Sequence, residues 1–217
     1  MKILCFGDSN TYGYNPKNGL RYNKNVRWTG ILQKLLGKNY KVIEEGLNGR
    51  TTIFDDPFLE GRCGLNDITE CLNLHKPIDL LIVMLGTNDT REIFNADATT
   101  ITKGLETLLN RAVSSSDYFI NNKPNILIIA PFPIRPEIVN TFWASTMGKN
   151  CSKKSHELIE KYKNLSKSLN CHFFDPSPYG ICSDYDYLHL SEETHNILAH
   201  KLYELILNMD KSDFNSL

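Results

Sequence analysis

Residues 2–16, KILCFGDSNTYGYNP, join a short apolar run to an abrupt polar turn. The apolar part at 3–6 has the length and composition of a buried strand, and the residues GDSN at 7–10 follow it directly. Such a loop has three ordinary uses: a simple turn, a phosphate-binding loop or the seat of a nucleophilic serine. The remainder of the chain decides among them.

Similar apolar stretches recur along the chain, and we interpret them as strands buried on both faces. They lie at 3–6, 40–44, 78–85 and 125–130, with a weaker fifth at 171–174. Amphipathic patterns predict helices at 28–36, 65–74, 98–113, 154–169 and from 192 to about 209. Asp97 and Ser191 stand at the expected N-cap positions of two of these helices.

The alternation of strand and helix predicts a parallel sheet between two layers of helices. We therefore expect an α/β, three-layer, doubly wound flavodoxin-like fold with about five strands, formed by residues 1–217 as a single domain. Ligands of such sheets bind at the carboxyl ends of the strands. Three of these ends carry small polar clusters: GDSN at 7–10, GLNGRTT at 46–52 and GTND at 86–89.

Charge and composition disfavour several classes of partner. The net charge is -1, with 24 basic and 25 acidic residues, so we expect neither nucleic acid nor an anionic membrane as a partner. No stretch approaches the ~20 apolar residues of a membrane span, and the first residues lack the pattern of a secretory signal. Six scattered cysteines without a CxxC pair predict reduced thiols and no zinc site. We therefore expect a cytoplasmic protein without a metal.

Ser9 needs a base, because a serine hydroxyl is a weak nucleophile at neutral pH. Of the six histidines we favour His189, which follows Asp186 by three residues outside the predicted helices. Side chains at this spacing share one face of a helical turn. Asp186 would then accept the Nδ1 proton of His189 and leave Nε2 as the base for Ser9. Asp184 is the alternative partner, and the run DYDY at 184–187 is alternatively an exposed acidic turn.

Attack on an ester carbonyl creates an oxyanion, and the strand ends offer three N–H donors for it. They are the backbone N–H groups of Ser9 and Gly49 and the side-chain amide of Asn88. Gly49 has no Cβ and so allows close approach of a substrate oxygen, and a neutral amide donates without needing a counter-ion. Each has a simpler alternative: a turn with positive φ for Gly49 and an Asx-turn for Asn88.

Four short blocks resemble, in order, those of the SGNH (GDSL-type) esterase family. They are GDS at 7–9, GLNG at 46–49, GTND at 86–89 and the pair Asp186 and His189. Longer stretches are similar to the arylesterase branch of that family, which includes acyltransferases with perhydrolase activity. These stretches are VRWTG at 26–30, VIEEGLNGRTT at 42–52, DDP at 55–57 and MLGTNDT at 84–90.

The resemblance implies a set of expectations for fold, site and activity. Ser9, Asp186 and His189 would form a catalytic triad, and the N–H groups of Ser9 and Gly49 with the Asn88 amide would form the oxyanion hole. The substrates would be short-chain aryl, alkyl or sugar acetates, with acyl transfer to alcohols or peroxide as a further reaction. The resemblance also implies no metal or other cofactor and a homo-oligomer. One departure is Asn48-Gly49, where this branch can carry Ser-Ala.

Four residues are candidates for substrate binding: Asp8, Trp28, Phe142 and Trp143. The last two belong to the connection 131–150, which is too apolar to be an ordinary solvent-exposed loop. Three roles fit this connection: it would line the acyl pocket, contact another subunit or pack in the core. Trp28 would line the mouth of the site, with burial in the core as its alternative.

Two rival functions use the same loops differently. In a flavodoxin-like binding module, Ser9, Asn10 and Thr11 would hold a phosphate or flavin phosphate. That function leaves the spacing of Asp186 and His189 unexplained. In a metal-dependent phosphatase, Asp8 and Asp89 would bind the metal. Either aspartate is also a predicted ion-pair partner for Arg50, which would stiffen the loops of the oxyanion hole.

Overall fold

The computed structural model describes residues 1–214, with side chains as far as Met209. Within these residues five parallel strands form one sheet: β1 (Lys2–Gly7), β2 (Lys41–Gly46), β3 (Leu80–Met84), β4 (Ile126–Ile129) and β5 (His172–Phe174). Their order across the sheet is β2-β1-β3-β4-β5. This is the strand order of flavodoxin-like proteins, so the predicted α/β, doubly wound fold is confirmed.

The part of the chain described contains seven α-helices. They are α1 (Ser9–Tyr12), α2 (Trp28–Leu36), α3 (Gly64–His75), α4 (Ala98–Ala112), α5 (Ala144–Met147), α6 (Cys151–Ser168) and α7 (Glu192–Phe214). The five predicted helices are all present with small shifts of their ends. Helices α1 and α5 are absent from the prediction, because a single helical turn is too short to show periodicity.

Strand side chains alternate between two apolar clusters, one on each face of the sheet. On β1, Leu4 and Phe6 pack toward α3, α4 and α6, whereas Ile3 and Cys5 pack toward α2 and α7. Helix residues in these clusters include Ile68, Leu105 and Leu158 on the first face and Trp28, Leu32 and Leu202 on the second. Burial on both faces explains the continuous apolar runs of the central strands.

Strand β2 corrects one prediction. The stretch 40–44 was expected to be buried on both faces, but β2 is only half-buried. It is an edge strand that, among the described strands, pairs with β1 alone. Its Glu44 carboxylate lies 2.7 Å from both Arg21 and Arg27 at the protein surface. An edge strand needs no second apolar face, so its charged residues are tolerated.

The predicted helix N-caps are both confirmed. Asp97 accepts a hydrogen bond of 2.7 Å from the backbone N–H of Thr100 at the start of α4. Ser191 accepts one of 3.1 Å from the backbone N–H of Thr194 at the start of α7. These bonds satisfy amide groups that the first turn of a helix leaves without partners.

All six cysteines lie within the described residues and are free thiols. Burial raises the pKa of Cys5 and of Cys182, which makes both poor nucleophiles. No described helix combines the length and the apolar character needed to cross a membrane. The assignment of residues 1–217 to a single domain stays a prediction.

Candidate active site

The ends of β1, β2 and β3 bring three loops to one edge of the sheet. Gly7 pairs with Gly46 of β2 and with Met84 of β3, so the chain leaves the three strands at the same level. One cavity of about 250 Å³ opens above this edge. Its wall includes residues from all three loops and one from the segment before α7, namely Ser9, Gly49, Asn88 and His189.

Ser9, His189 and Asp186 form a hydrogen-bonded chain at the base of this cavity. His189 Nε2 lies 3.0 Å from Ser9 Oγ, although 180 positions separate the two residues. His189 Nδ1 lies 2.5 Å from Asp186 Oδ2. All three residues are buried. With its proton on Nδ1, the imidazole donates to Asp186, and Nε2 is left to accept the hydroxyl proton of Ser9.

A tight turn holds Asp186 against His189. Asp186 Oδ1 accepts hydrogen bonds from the backbone N–H groups of Leu188 at 3.1 Å and His189 at 3.0 Å. Tyr187 has a φ of 62°, in the left-handed region. The prediction of a helical turn at this point is therefore wrong. The spacing still pairs the two side chains, because the carboxylate folds back onto the amides of its own turn.

Asp186 and Asp184 have opposite environments. Burial alone would raise the pKa of Asp186, but hydrogen bonds and charge from His189, with the Leu188 amide, lower it below its ordinary value. The carboxylate is therefore ionised beside the imidazole. The Asp184 side chain is 85% exposed and pairs with Arg135. Asp184 therefore does not reach the cavity, and the choice of Asp186 agrees with the geometry.

Helix α1 fixes the position of Ser9. Its N-cap is Asp8, whose Oδ1 accepts a hydrogen bond of 2.9 Å from the backbone N–H of Asn10. Asn10 Oδ1 in turn accepts a hydrogen bond of 3.1 Å from the backbone N–H of Leu190. Gly7 is required just before this turn, because an added Cβ would stand 2.1 Å from Thr11 Oγ1. The serine turn is thus tied directly to the segment that carries His189.

Two predicted substrate-binding residues lie elsewhere. Asp8 is 1% exposed and caps α1 beneath the cavity. Trp28 is 0% exposed, and its Nε1 donates a hydrogen bond of 3.0 Å to the backbone oxygen of Asn10. The cavity wall formed by the described residues includes neither side chain. Both predictions are corrected: Asp8 Oδ1 and Trp28 Nε1 each form a hydrogen bond with the backbone of Asn10, so the two residues support the serine turn from below.

Gly49 and Asn88, two of the predicted oxyanion donors, lie in the cavity wall together with Ser9. Gly49 has a φ of +80°, so it also satisfies the alternative of a turn that favours glycine. Among the described residues, the backbone N–H groups of Ser9 and Gly49 have no hydrogen-bond acceptor. Asn88 Nδ2 donates a hydrogen bond of 3.0 Å to the backbone oxygen of Arg50, across to the neighbouring loop. An amide nitrogen has two hydrogens, so one remains for a ligand.

Arg50 does not form the predicted pair with Asp8 or Asp89. Its guanidinium donates to the backbone oxygens of Gly7 and Glu45 and lies 3.3 Å from Asp67 of α3. The guanidinium carbon lies over the ring of Phe6, 4.1 Å from its centroid. The side chain nevertheless ties the loop after β2 to the end of β1, so the expected stiffening is achieved with other partners.

Asp8 and Asp89 are buried acids next to the site. Burial raises the pKa of each to about 6, against the lowering effect of the hydrogen bonds that each accepts. Asp89 Oδ1 accepts a hydrogen bond of 2.8 Å from the backbone N–H of Thr52 and a second from its hydroxyl. This contact joins the loop after β2 to the turn that carries Asn88.

Aromatic side chains close one side of the cavity. The ring of Tyr14 lies 4.2 Å from that of His189, and the ring of Trp143 lies 5.8 Å from it. Trp143, a predicted substrate-binding residue, is part of the cavity wall. Phe142 packs on Trp143 but is 75% exposed and outside the wall that the described residues form. The connection 131–150 therefore contributes to the cavity through Trp143, Thr146 and Met147.

Several cavity residues are missing from the sequence prediction, namely Tyr14, Leu59, Arg62, Arg91 and Leu188. Most of these residues lie in loops. Loop residues have no periodic pattern from which the direction of a side chain could be predicted. Tyr14 and Arg91 had one usable signal, because each follows closely after a polar strand end. Arg62 had none.

Comparison with known families decides the identity of this site. The profile of the GDSL-like lipase/acylhydrolase family matches residues 5–197. The chain belongs to this family. It is accordingly a serine ester hydrolase, as the four sequence blocks predict. A search of curated protein sequences finds no relative that matches.

Several solved structures are similar to this GDSL-like hydrolase over almost its whole length. The aryl esterase of M. smegmatis has 33% identity and a TM-score of 0.87, with 95% of this chain and 98% of that one covered. A carbohydrate acetylesterase from Sinorhizobium meliloti has 33% identity and a TM-score of 0.88, with 96% and 99% covered. A putative arylesterase from Agrobacterium tumefaciens has 30% identity and a TM-score of 0.84, with 95% and 98% covered.

One group of possible metal ligands lies away from the cavity of this GDSL-like hydrolase. Glu45, Cys71 and His75 place their ligand atoms within 4.8 Å of one another, between β2 and α3. Glu45 Oε1 and His75 Nε2 already lie 2.7 Å apart and form a contact with each other. The hydrogen-bonded chain from Asp186 to Ser9 involves none of these three residues.

Proposed function

We propose that this protein hydrolyses short-chain acyl esters, such as aryl, alkyl or sugar acetates, through an acyl-enzyme on Ser9. The observation that carries the proposal is the distance of 3.0 Å between Ser9 Oγ and His189 Nε2. A nucleophile within hydrogen-bond reach of a base, with that base oriented by a third group, is the arrangement of serine hydrolases.

In the first half of the reaction, His189 takes the hydroxyl proton as Ser9 Oγ attacks the acyl carbonyl. Asp186 is ionised and stabilises the imidazolium that forms. The N–H groups of Ser9 and Gly49 and the amide of Asn88 donate to the oxyanion, and each such donor is worth ~10²–10³ in rate. The imidazolium then protonates the departing alcohol, which leaves the acyl group on Ser9.

In the second half, His189 takes a proton from water, and the resulting attack releases the acid and restores Ser9. An alcohol or peroxide that takes the place of water gives acyl transfer instead. The cavity of about 250 Å³ supports a short acyl group, because typical pockets for larger ligands begin at ~300 Å³. We assign Trp143 to direct contact with the substrate and Phe142 to the support of Trp143.

The phosphate-binding alternative is disfavoured by how the polar groups of α1 are used. Asn10 Nδ2 donates to the backbone oxygen of Leu188 at 3.5 Å, and Thr11 is 1% exposed. A phosphate loop needs such groups free at the surface of the site. Ser9 alone remains available, and its hydroxyl faces His189.

We further propose that the protein acts in the cytoplasm as a homo-oligomer with a single domain in each subunit. Six free thiols are compatible with a reducing compartment. Exposed apolar side chains in the connection 131–150, Val139 and Phe142, are suited to contact with a second copy. Analytical ultracentrifugation of the full chain tests this: sedimentation as a monomer at micromolar concentration refutes the oligomer.

The function is tested with a panel of p-nitrophenyl and acetylated-sugar esters, with and without a serine-directed phosphonate. We expect turnover of the short esters, complete inhibition, and one phosphonyl group that peptide mass spectrometry places on Ser9. The Ser9→Ala variant is the matched control and takes up no phosphonate. Ester turnover that survives in that variant, or modification of another residue, refutes the mechanism.

A further inference from the structure

The cavity wall contains buried N–H groups that the proposed mechanism does not use. Arg62 Nε, Arg91 Nε and Trp143 Nε1 are buried and have no hydrogen-bond partner among the described residues. Asn48 Oδ1 is one unpaired acceptor in the same wall. Buried N–H groups in proteins are almost always paired. Three unpaired donors around one cavity therefore favour a ligand that is rich in acceptor oxygens.

The two arginines differ in how their charge is compensated. Arg91 forms an ion pair with Asp56, and both side chains are buried. In the described part of the chain, Arg62 has no carboxylate within 4.0 Å. None of the described residues that form the wall is an aspartate or a glutamate. The cavity thus carries the uncompensated charge of Arg62.

Arg62 lies next to one of the proposed oxyanion donors. A Cβ built on Gly49 would stand 3.6 Å from Arg62 Cδ and 3.7 Å from Arg62 Nε. An ester carbonyl held by the Gly49 N–H therefore has its substituents within a few bonds of this guanidinium. A planar guanidinium binds a carboxylate through paired, charge-assisted hydrogen bonds.

We propose that the cavity selects esters that carry a carboxylate a few bonds from the scissile carbonyl, with Arg62 as the residue that binds it. This inference rests on the proposed ester hydrolysis and names its substrate class. The small cavity restricts that class to compact anions. Two sources fit: the half-ester of a short dicarboxylic acid, with the charge on the acyl group, and an acylated hydroxybenzoate, with the charge on the alcohol.

The kinetic test compares three esters: mono-4-nitrophenyl succinate, 4-acetoxybenzoate and neutral p-nitrophenyl acetate. Each kcat/KM is divided by the rate of hydroxide hydrolysis of the same ester, which removes differences in intrinsic reactivity. We expect one of the two anionic esters to be preferred, and Arg62→Gln to reduce that preference by ~10-fold or more. Arg62→Lys retains part of it, and added salt weakens it.

Arg111→Gln is the matched control, because it removes one positive charge from the exposed surface of α4. It leaves the preference unchanged, so an effect of net charge alone is separated from an effect of Arg62. Equal preference in the wild type and Arg62→Gln, or a preference for the neutral ester in both, overturns the proposal.

A binding measurement separates this inference from the proposed function. Succinanilic acid and 4-acetamidobenzoic acid are the amide counterparts of the two anionic esters, and acetanilide is the neutral counterpart. Their affinities are measured by NMR titration of the wild type and Arg62→Gln. We expect the wild type to bind one of the two acids more tightly than acetanilide, and Arg62→Gln to lose that difference. That result without any ester turnover refutes the function and retains the anion site. Ser9-dependent turnover with equal binding by both proteins retains the function and refutes the anion site.

Discussion

The base of the cavity and its rim are built differently. At the base, Ser9, Asp186 and His189 are buried, and their side chains contact one another in a chain of hydrogen bonds. At the rim, Phe142 is 75% exposed and the charge of Arg62 is uncompensated among the described residues. Groups that are fixed before substrate arrives suit chemistry, and groups without partners suit recognition. Substitutions at the base should therefore abolish catalysis, and those at the rim should alter selectivity.

The largest effect is expected at the base. Ser9→Ala and His189→Ala should each lower kcat by up to ~10⁶, because neither residue activates the reaction without the other. The measurement is kcat on p-nitrophenyl acetate, with circular dichroism to show that each variant folds. The double variant should be little slower than either single variant. If the decrease in kcat of the double variant equalled the product of the two single decreases, the residues would act independently.

Asp186→Asn should lower kcat by ~10⁴ with little change in KM. The asparagine side chain can present N–H instead of oxygen to His189 Nδ1, which favours the wrong tautomer. The same kinetic assay checks this, and thermal unfolding reports any separate loss of stability. Near-normal kcat would remove Asp186 from the mechanism and leave it as part of the turn alone.

Asn88→Ala should lower kcat by ~10²–10³, since one oxyanion donor is lost. The control is Asn66→Ala on α3, an asparagine whose contact with Asp55 is at the exposed surface. We expect that control to retain wild-type kcat. If the two variants were equally active, Asn88 would not belong to the base of the cavity.

The buried acids beneath the site make stability depend on pH. Because the folded pKa of Asp89 is raised to about 6, its contribution to the free energy of unfolding is complete below about pH 4 and is lost as pH rises through 6. Urea unfolding at pH 4 and pH 7 compares the wild type with Asp89→Asn. The variant should gain about 2 kcal/mol relative to the wild type over that interval. An unchanged difference would show that folding does not raise the pKa of Asp89.

The smallest effect is expected at the rim. Phe142→Ser removes an exposed ring that only supports Trp143, so kcat should change by about twofold or less. The assay is again p-nitrophenyl acetate hydrolysis. A decrease in kcat as large as that of Asn88→Ala would place Phe142 in direct contact with the substrate. The rim and the base of the cavity would then not differ in their effect on catalysis.

The sequence predicted the base of the cavity better than the rim for a physical reason. Strand ends of a parallel sheet converge by geometry, so polar clusters after β1, β2 and β3 had to meet. Asp186 and His189 were paired by their spacing, although the turn that joins them has a left-handed residue instead of helical geometry. Local spacing survives such an error because both side chains remain in the same short segment.

Predictions of orientation were less successful. Trp28 begins a helix, and its composition does not reveal whether the ring faces the cavity or the core; the structure buries it under α1. Arg50 was matched to Asp8 and Asp89 because all three follow adjoining strand ends, but the long side chain reaches Asp67 of α3. Arg62 lies in a loop, and the sequence has no signal that places it beside Gly49. These contacts depend on tertiary packing and therefore required coordinates.

The acyl-enzyme is the most direct test of the account. Rapid acid quenching during turnover of p-nitrophenyl acetate, followed by peptide mass spectrometry, locates the acetyl group. We expect acetylation of Ser9 within the first turnover in the wild type, and none at that residue in His189→Ala on the same time scale. Acetylation of a different side chain, or turnover without any acetylated protein under conditions where deacylation is slow, would contradict it.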